Sequence, residues 1–183
     1  MELVKNFKES KVIKSIFFAL LGTIILAISS KIKIPFYPVP MTMQTFVVLL
    51  IGIVFGWKLG VATISLYLFE GIIGLPVFSG TPEKGVGIIY FTGPTMGYLL
   101  GFIVTAYLAG KFHYSENMFK NFIKLIVATS FIYILGMIWL GSLIGWEKPL
   151  FTIGAKPFLL AELFKILLAT FLISKLKKFK KFI

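Results

Sequence analysis

With 183 residues, 58% of them hydrophobic, and a mean hydropathy of +0.95, the chain is too apolar for a soluble domain and reads as an integral membrane protein. Its net charge of +12 comes from Lys and Glu alone, and without Arg for bidentate base contacts the basic excess points to a membrane surface, not to nucleic acid. Cys is absent, which excludes disulfides and thiolate chemistry, and the single His113 sits in a polar connection and cannot build a metal or haem site.

Apolar windows, cut at charges and at Gly/Pro clusters, predict an all-α membrane fold of six transmembrane helices in a single domain, 1–183. The first span covers about 15–30. It is long enough to cross and has no cleavage pattern after it, so it is expected to remain in the mature protein. Along it Ser15, Ala19, Thr23 and Ala27 recur every four residues, a stripe of small side chains on which another helix can pack closely. Periodicity leaves open whether that helix belongs to this chain or to a partner.

Between the first two spans stand Pro35, Pro38 and Pro40, which fix φ and disfavour helix, so a stiff extended strap able to gate a cavity is predicted here. Thr42 and Gln44 head the second span, about 42–55, and read either as ligand contacts or as a helix cap and a partner for a neighbouring backbone. A GWKLG turn, Gly56 to Gly60, leads into the third span, about 60–73, whose Glu70 is expected to help neutralise Lys165 or to sit in a vestibule.

The connection that follows is rich in Gly and Pro yet apolar. Its glycines, Gly85 among them, permit close approach of backbone to a ligand, while Phe78, Tyr90 and Phe91 supply flat surface with one hydroxyl. Gly93-Pro94-Thr95 reads as a helix start with Pro at the first helical position, opening the fourth span, about 94–109. The fifth covers about 122–143.

The sixth span, about 157–174, carries Glu162 and Lys165. Spaced i, i+3, they share one helix face inside an apolar run, where ionisable groups normally mark a ligand or a pathway. The same pair also reads as a self-neutralising structural ion pair. Beyond it a basic tail, 175–183, is expected to anchor on an anionic leaflet.

Lysine placement tests the count. With both termini cytoplasmic, thirteen lysines lie inside (Lys5, Lys8, Lys11, Lys14, Lys58, Lys111, Lys120, Lys124, Lys175, Lys177, Lys178, Lys180, Lys181), against five outside (Lys31, Lys33, Lys84, Lys148, Lys156). The strap, the 75–93 loop and the 145–156 loop then face outward, on the same side as the near end of the Glu162/Lys165 pair. No phosphate-cradling loop and no nucleophile motif occurs, so the chain is expected to be neither an ATPase nor another enzyme, and no cofactor is implied.

Four segments, PVPMTMQTF (38–46), GLPVFSG (74–80), GPTMGYLLGF (93–102) and PFLLAELFK (157–165), make the chain resemble the BioY family, the biotin-binding S components of energy-coupling factor (ECF) transporters. The resemblance implies a six-helix subunit in the cell membrane that captures biotin outside and works with a membrane T component and two ABC-type ATPases. It implies that Glu162, where the family typically has Asp, and Lys165 hold the ligand, and that Ala19, Thr23 and Ala27 resemble the face that docks on the T component. A carboxylate and an ammonium side by side suit a ureido ring with two N–H donors and one C=O acceptor, and aromatic walls suit a sulfur ring. Three alternatives stay open: an autonomous proton- or ion-coupled carrier using Glu70, Glu162 and Lys165, a lipid-modifying enzyme, and an S component for another vitamin.

Overall fold

The computed structural model of the chain describes residues 2–35, 37–83 and 85–179, with side chains from residue 11 onward. Phe36 of the strap, Lys84, the tail residues Lys180, Lys181 and Phe182, and the side chains of Lys5 and Lys8 lie outside the described residues.

The elements run in the order α1 (Glu2–Lys31), β1 (Lys33–Ile34), β2 (Met41–Thr42), α2 (Gln44–Ile72), the single-turn α3 (Ile88–Phe91), α4 (Met96–Lys111), α5 (Met118–Ile144), α6 (Leu150–Gly154), a 3-10 turn (Lys156–Phe158) and α7 (Leu159–Phe179). Four stretches are long and apolar enough to cross a membrane: Lys11–Lys31, Gln44–Ile72, Met118–Ile144 and Leu150–Phe179, with α4 a shorter apolar helix. Helix α1 begins far ahead of residue 15 and α7 runs on past residue 174. Lysines end an apolar window without ending a helix, because Lys and Glu are themselves good helix formers.

Helix α2 is not one straight rod. Gly56 leaves helical geometry at φ 73°, ψ 174°, a region that glycine enters without a Cβ penalty, and the chain reverses there. A Cβ on Gly60 would lie 3.5 Å from the Gly52 Cα, and Gln44 Nε2 donates to the Tyr67 hydroxyl at 2.7 Å across 23 residues. A straight helix would hold those two residues roughly 35 Å apart. The arms 44–55 and 57–72 therefore form an antiparallel hairpin, placed where the GWKLG turn predicts it.

Helix α4 docks between that hairpin and α5 through positions with no side chain. A Cβ on Gly97 or Gly101 would come within 2.4 Å of the Leu135 carbonyl or 2.5 Å of the Ile132 Cα, and Gly110 is pressed on the backbone of Gly56 and Trp57. In hydrocarbon such close approach, with interhelical hydrogen bonds, substitutes for hydrophobic drive. Thr105 Oγ1 supplies one such bond, to the Ala128 carbonyl at 2.9 Å. Buried side chains form one cluster at the strap end, around Tyr67, Phe78, Tyr98 and Phe158, and another toward Gly56, around Leu49, Ala109, Leu125 and Ile166. Ile24, Ile138, Phe164 and Phe171 point outward, as expected where the solvent is lipid.

Several local expectations are corrected. Thr95 occupies the N-cap of α4 and Met96 opens it, so Pro94 precedes the cap and is not the first helical residue. Met43, without a side-chain bond, takes the N-cap of α2, while Thr42 belongs to β2. The expected 145–156 loop contains α6. The small-residue stripe does not stand open as a docking face: Ala19 and Thr23 are buried, Ala27 packs on the strap-end core, and Gly22 between them meets Ile51, Phe55 and Thr63 of α2. Small residues are needed there because this chain's own hairpin comes closest at that point.

Candidate functional site

Two connections close one end of the bundle, and both are pinned. The strap joins strands that pair antiparallel, Lys33 with Thr42 and Ile34 with Met41, which ties its two ends together. The loop after α2 is held by Lys31 Nζ, which donates to the Phe78 carbonyl at 3.0 Å, to the Thr81 carbonyl at 3.1 Å and to Thr81 Oγ1 at 3.2 Å. Ser30 Oγ and the Tyr67 hydroxyl each donate to the Val77 carbonyl at 2.8 Å, and the Tyr90 hydroxyl donates to the Ser79 carbonyl at 2.8 Å.

Beneath these connections Glu162 and Lys165 are 4% and 7% exposed and form an ion pair of 2.6 Å on the first turns of α7. Thr45, on the hairpin's first arm, completes a ring by donating to Glu162 Oε1 at 2.8 Å and accepting from Lys165 Nζ at 3.0 Å. Lys165 gives its third proton to the Thr42 carbonyl at 2.5 Å, so all three ammonium donors are engaged and β2 is tied to α7. Glu162 is only half used. Its Oε2 is buried and meets no donor at full hydrogen-bond geometry, with the Tyr133 hydroxyl close enough to the carboxylate to interact with it. A structural ion pair fills both carboxylate oxygens to offset desolvation; this one keeps an acceptor in reserve.

Glu162 lines a partly open cavity of about 50 Å³ together with Thr42, Gln44, Thr45, Tyr90 and Tyr133. The remaining wall is aromatic and aliphatic, from Tyr98, Phe102, Phe158, Leu99, Ile132 and Val39, with Ser79 and Thr95 adding hydroxyls. Tyr133 stacks on Phe158 at 6.3 Å and meets Tyr98 edge-on at 6.1 Å, giving a flat slot of the kind that orients a ring system. Space of this size holds about four water molecules.

Among the sequence-predicted residues, Glu162, Gln44, Thr42 and Tyr90 meet at this cavity. Lys165 stands behind Glu162 and does not line it; it pairs with the carboxylate at 2.6 Å. Gln44 bonds the Tyr67 hydroxyl and Thr42, not a neighbour's backbone. Phe78 and Phe91 form a second layer, Phe78 stacked on Tyr90 at 4.8 Å and edge-on to Phe91 at 5.4 Å. Gly85, at φ 88°, turns the loop without reaching the cavity. Glu70 lies on the second arm near Tyr67, and it does not neutralise Lys165, whose donors are spent elsewhere. Thr45, Ser79, Tyr98 and Tyr133 were not anticipated; of these, only the phenols carried a signal, a polar tip in mid-span.

A larger groove of about 600 Å³ runs between α1, the first arm of α2 and the end of α7, but every residue lining it is apolar. It has nothing to fix a ligand's orientation. The polar cavity is the better site.

Comparison with known proteins agrees with the geometry. Residues 4–182 match the sequence model of the BioY family. The probable biotin transporter BioY of Pyrococcus horikoshii is 32% identical over 82% of this chain and 88% of its own length, and the biotin transporter BioY of Thermotoga maritima is 34% identical over 85% and 91%. A crystal structure of the S-component for biotin from an ECF-type ABC transporter superposes with a TM-score of 0.76 at 27% identity, covering 92% of this chain and 93% of that one. An apolar helical bundle with a polar, aromatic-walled cavity and a family match over almost its whole length has one consequence: the chain is a multi-pass membrane protein that belongs to the BioY family.

Proposed function

We propose that this chain is the biotin-capturing S component of an ECF transporter, a solute-binding subunit in the cell membrane and not an enzyme. The observation that carries the reading is the buried Glu162 carboxylate, held through Oε1 by Lys165 and Thr45 beside an aromatic slot, with Oε2 making no full hydrogen bond to the protein. A ureido N–H meets that acceptor, and the Tyr133, Tyr98 and Phe158 rings enclose the bicycle. Relatives named as biotin transporters support the choice of ligand. Biotin uptake is expected only when the chain is co-expressed with a T component and ABC-type ATPases, and only with ATP; uptake by the chain alone in proteoliposomes, driven by a proton gradient, would show an autonomous carrier instead.

A six-span topology is supported by counting the two arms of α2 separately and adding α1, α4, α5 and α7. The termini then face the cytoplasm with the strap and cavity outside, in keeping with the lysine bias. The absence of Cys makes this easy to check. Single cysteines at positions 83 and 147 should react with an impermeant maleimide in intact cells, and cysteines at 58 and 116 only after lysis; the reverse pattern would invert the assignment.

A further inference from the structure

Glu162 is not the only cavity residue with an unused polar atom. Ser79 is 3% exposed, lines the same cavity, and its hydroxyl has no hydrogen-bond partner. Thr129, the other buried hydroxyl left unpaired among the described residues, lies on α5 and does not line this cavity. An unpaired buried hydroxyl costs stability unless something supplies its partner.

The surroundings of Ser79 say what that partner is. Its carbonyl is taken by Tyr90, and the flanking carbonyls of Phe78 and Thr81 are both gripped by Lys31 Nζ. That ammonium touches only neutral oxygens, and among the described residues Glu162–Lys165 is the sole ion pair within 4 Å, so no carboxylate pairs directly with Lys31. The cavity therefore has two unlike poles. At α7 an acceptor is offered whose charge Lys165 already cancels; at the 78–81 loop a hydroxyl free to donate stands in the field of a cation with no directly paired carboxylate. Lys31 is itself exposed, so water screens part of this field, but the loop stays the positive side of the cavity, and a hydrogen bond to an anion is stronger than one to a neutral group.

We propose that Ser79 is a second ligand contact that receives the carboxylate end of the ligand, with Lys31 as a positioning residue that makes this pole electropositive through the loop it clamps. The proposal rests on the biotin reading and adds an orientation to it: ring system at Glu162, acid arm toward the 78–81 loop. Calorimetry on the purified full chain with biotin and with biotinamide, which lacks the anion, separates the possibilities. Ser79→Ala is expected to weaken biotin binding about tenfold or more, to change biotinamide binding much less, and to leave the ligand-free protein no less heat-stable, because an unpaired hydroxyl is removed. Lys31→Met should narrow the preference for biotin over biotinamide, and Lys31→Arg should keep it, a readout that a purely structural clamp would not move. Equal losses for both ligands, or no loss for either, would overturn the proposal while leaving biotin binding by the wild-type chain intact. Wild-type protein that binds neither ligand would instead remove the biotin reading itself, and this inference with it.

Discussion

Glu162→Ala is expected to weaken biotin binding by about 2 to 5 kcal/mol, at least about 30-fold in affinity, as measured by calorimetry on the purified variant. Two losses add up. The ligand N–H that met Oε2 has no acceptor, and the Lys165 ammonium loses its counter-charge 2.6 Å away. Glu162→Gln is the informative companion, since it keeps one carbonyl acceptor but turns the other position into a donor. It should recover part of the affinity at most. Full affinity in both variants would place the ligand elsewhere.

Lys165→Ala is expected to act first on the fold. The side chain makes three hydrogen bonds, to Glu162, Thr45 and the Thr42 carbonyl, and its removal leaves a buried carboxylate unpaired while untying β2 from α7. Breaking a buried pair from one side costs about 3 to 5 kcal/mol, a fall on the order of 10 °C in the unfolding temperature for a chain of this size. Replacing both partners, Glu162→Leu with Lys165→Met, should restore much of that stability, because apolar groups of similar volume fit such sites, and should not restore binding. A double replacement that still bound biotin would reduce the pair to a structural role.

The two behaviours divide what was legible in the residues from what was not. Two opposite charges in an apolar run can be read from spacing alone, and so can a hairpin at Gly56, since glycines and a lysine interrupt the hydropathy there. Helix ends were less legible, because Lys11, Lys14 and Lys175 end an apolar window while extending a helix. Within the site, the sequence could not tell an unused carboxylate oxygen from a filled one. That distinction depends in part on Thr45, a residue with no pattern of its own, which with Lys165 takes up Oε1 and not Oε2. Spacing also does not show that all three donors of the Lys165 ammonium are engaged by surrounding protein oxygens. Phe78 was expected in the wall and stands one layer back, because its ring is covered by Tyr90, the residue that reaches the cavity. The stripe at Ala19, Thr23 and Ala27 illustrates the same limit: small residues announce a close neighbour without naming it.

The central claim, that Glu162 Oε2 receives a ligand N–H, is tested most directly by titrating biotin and ureido-N-methylated biotin into the wild-type chain and into Glu162→Ala. Methylation should weaken binding strongly in the wild type and hardly at all in the variant, since the same hydrogen bond is removed from either side. Equal penalties for methylation in both proteins would contradict it.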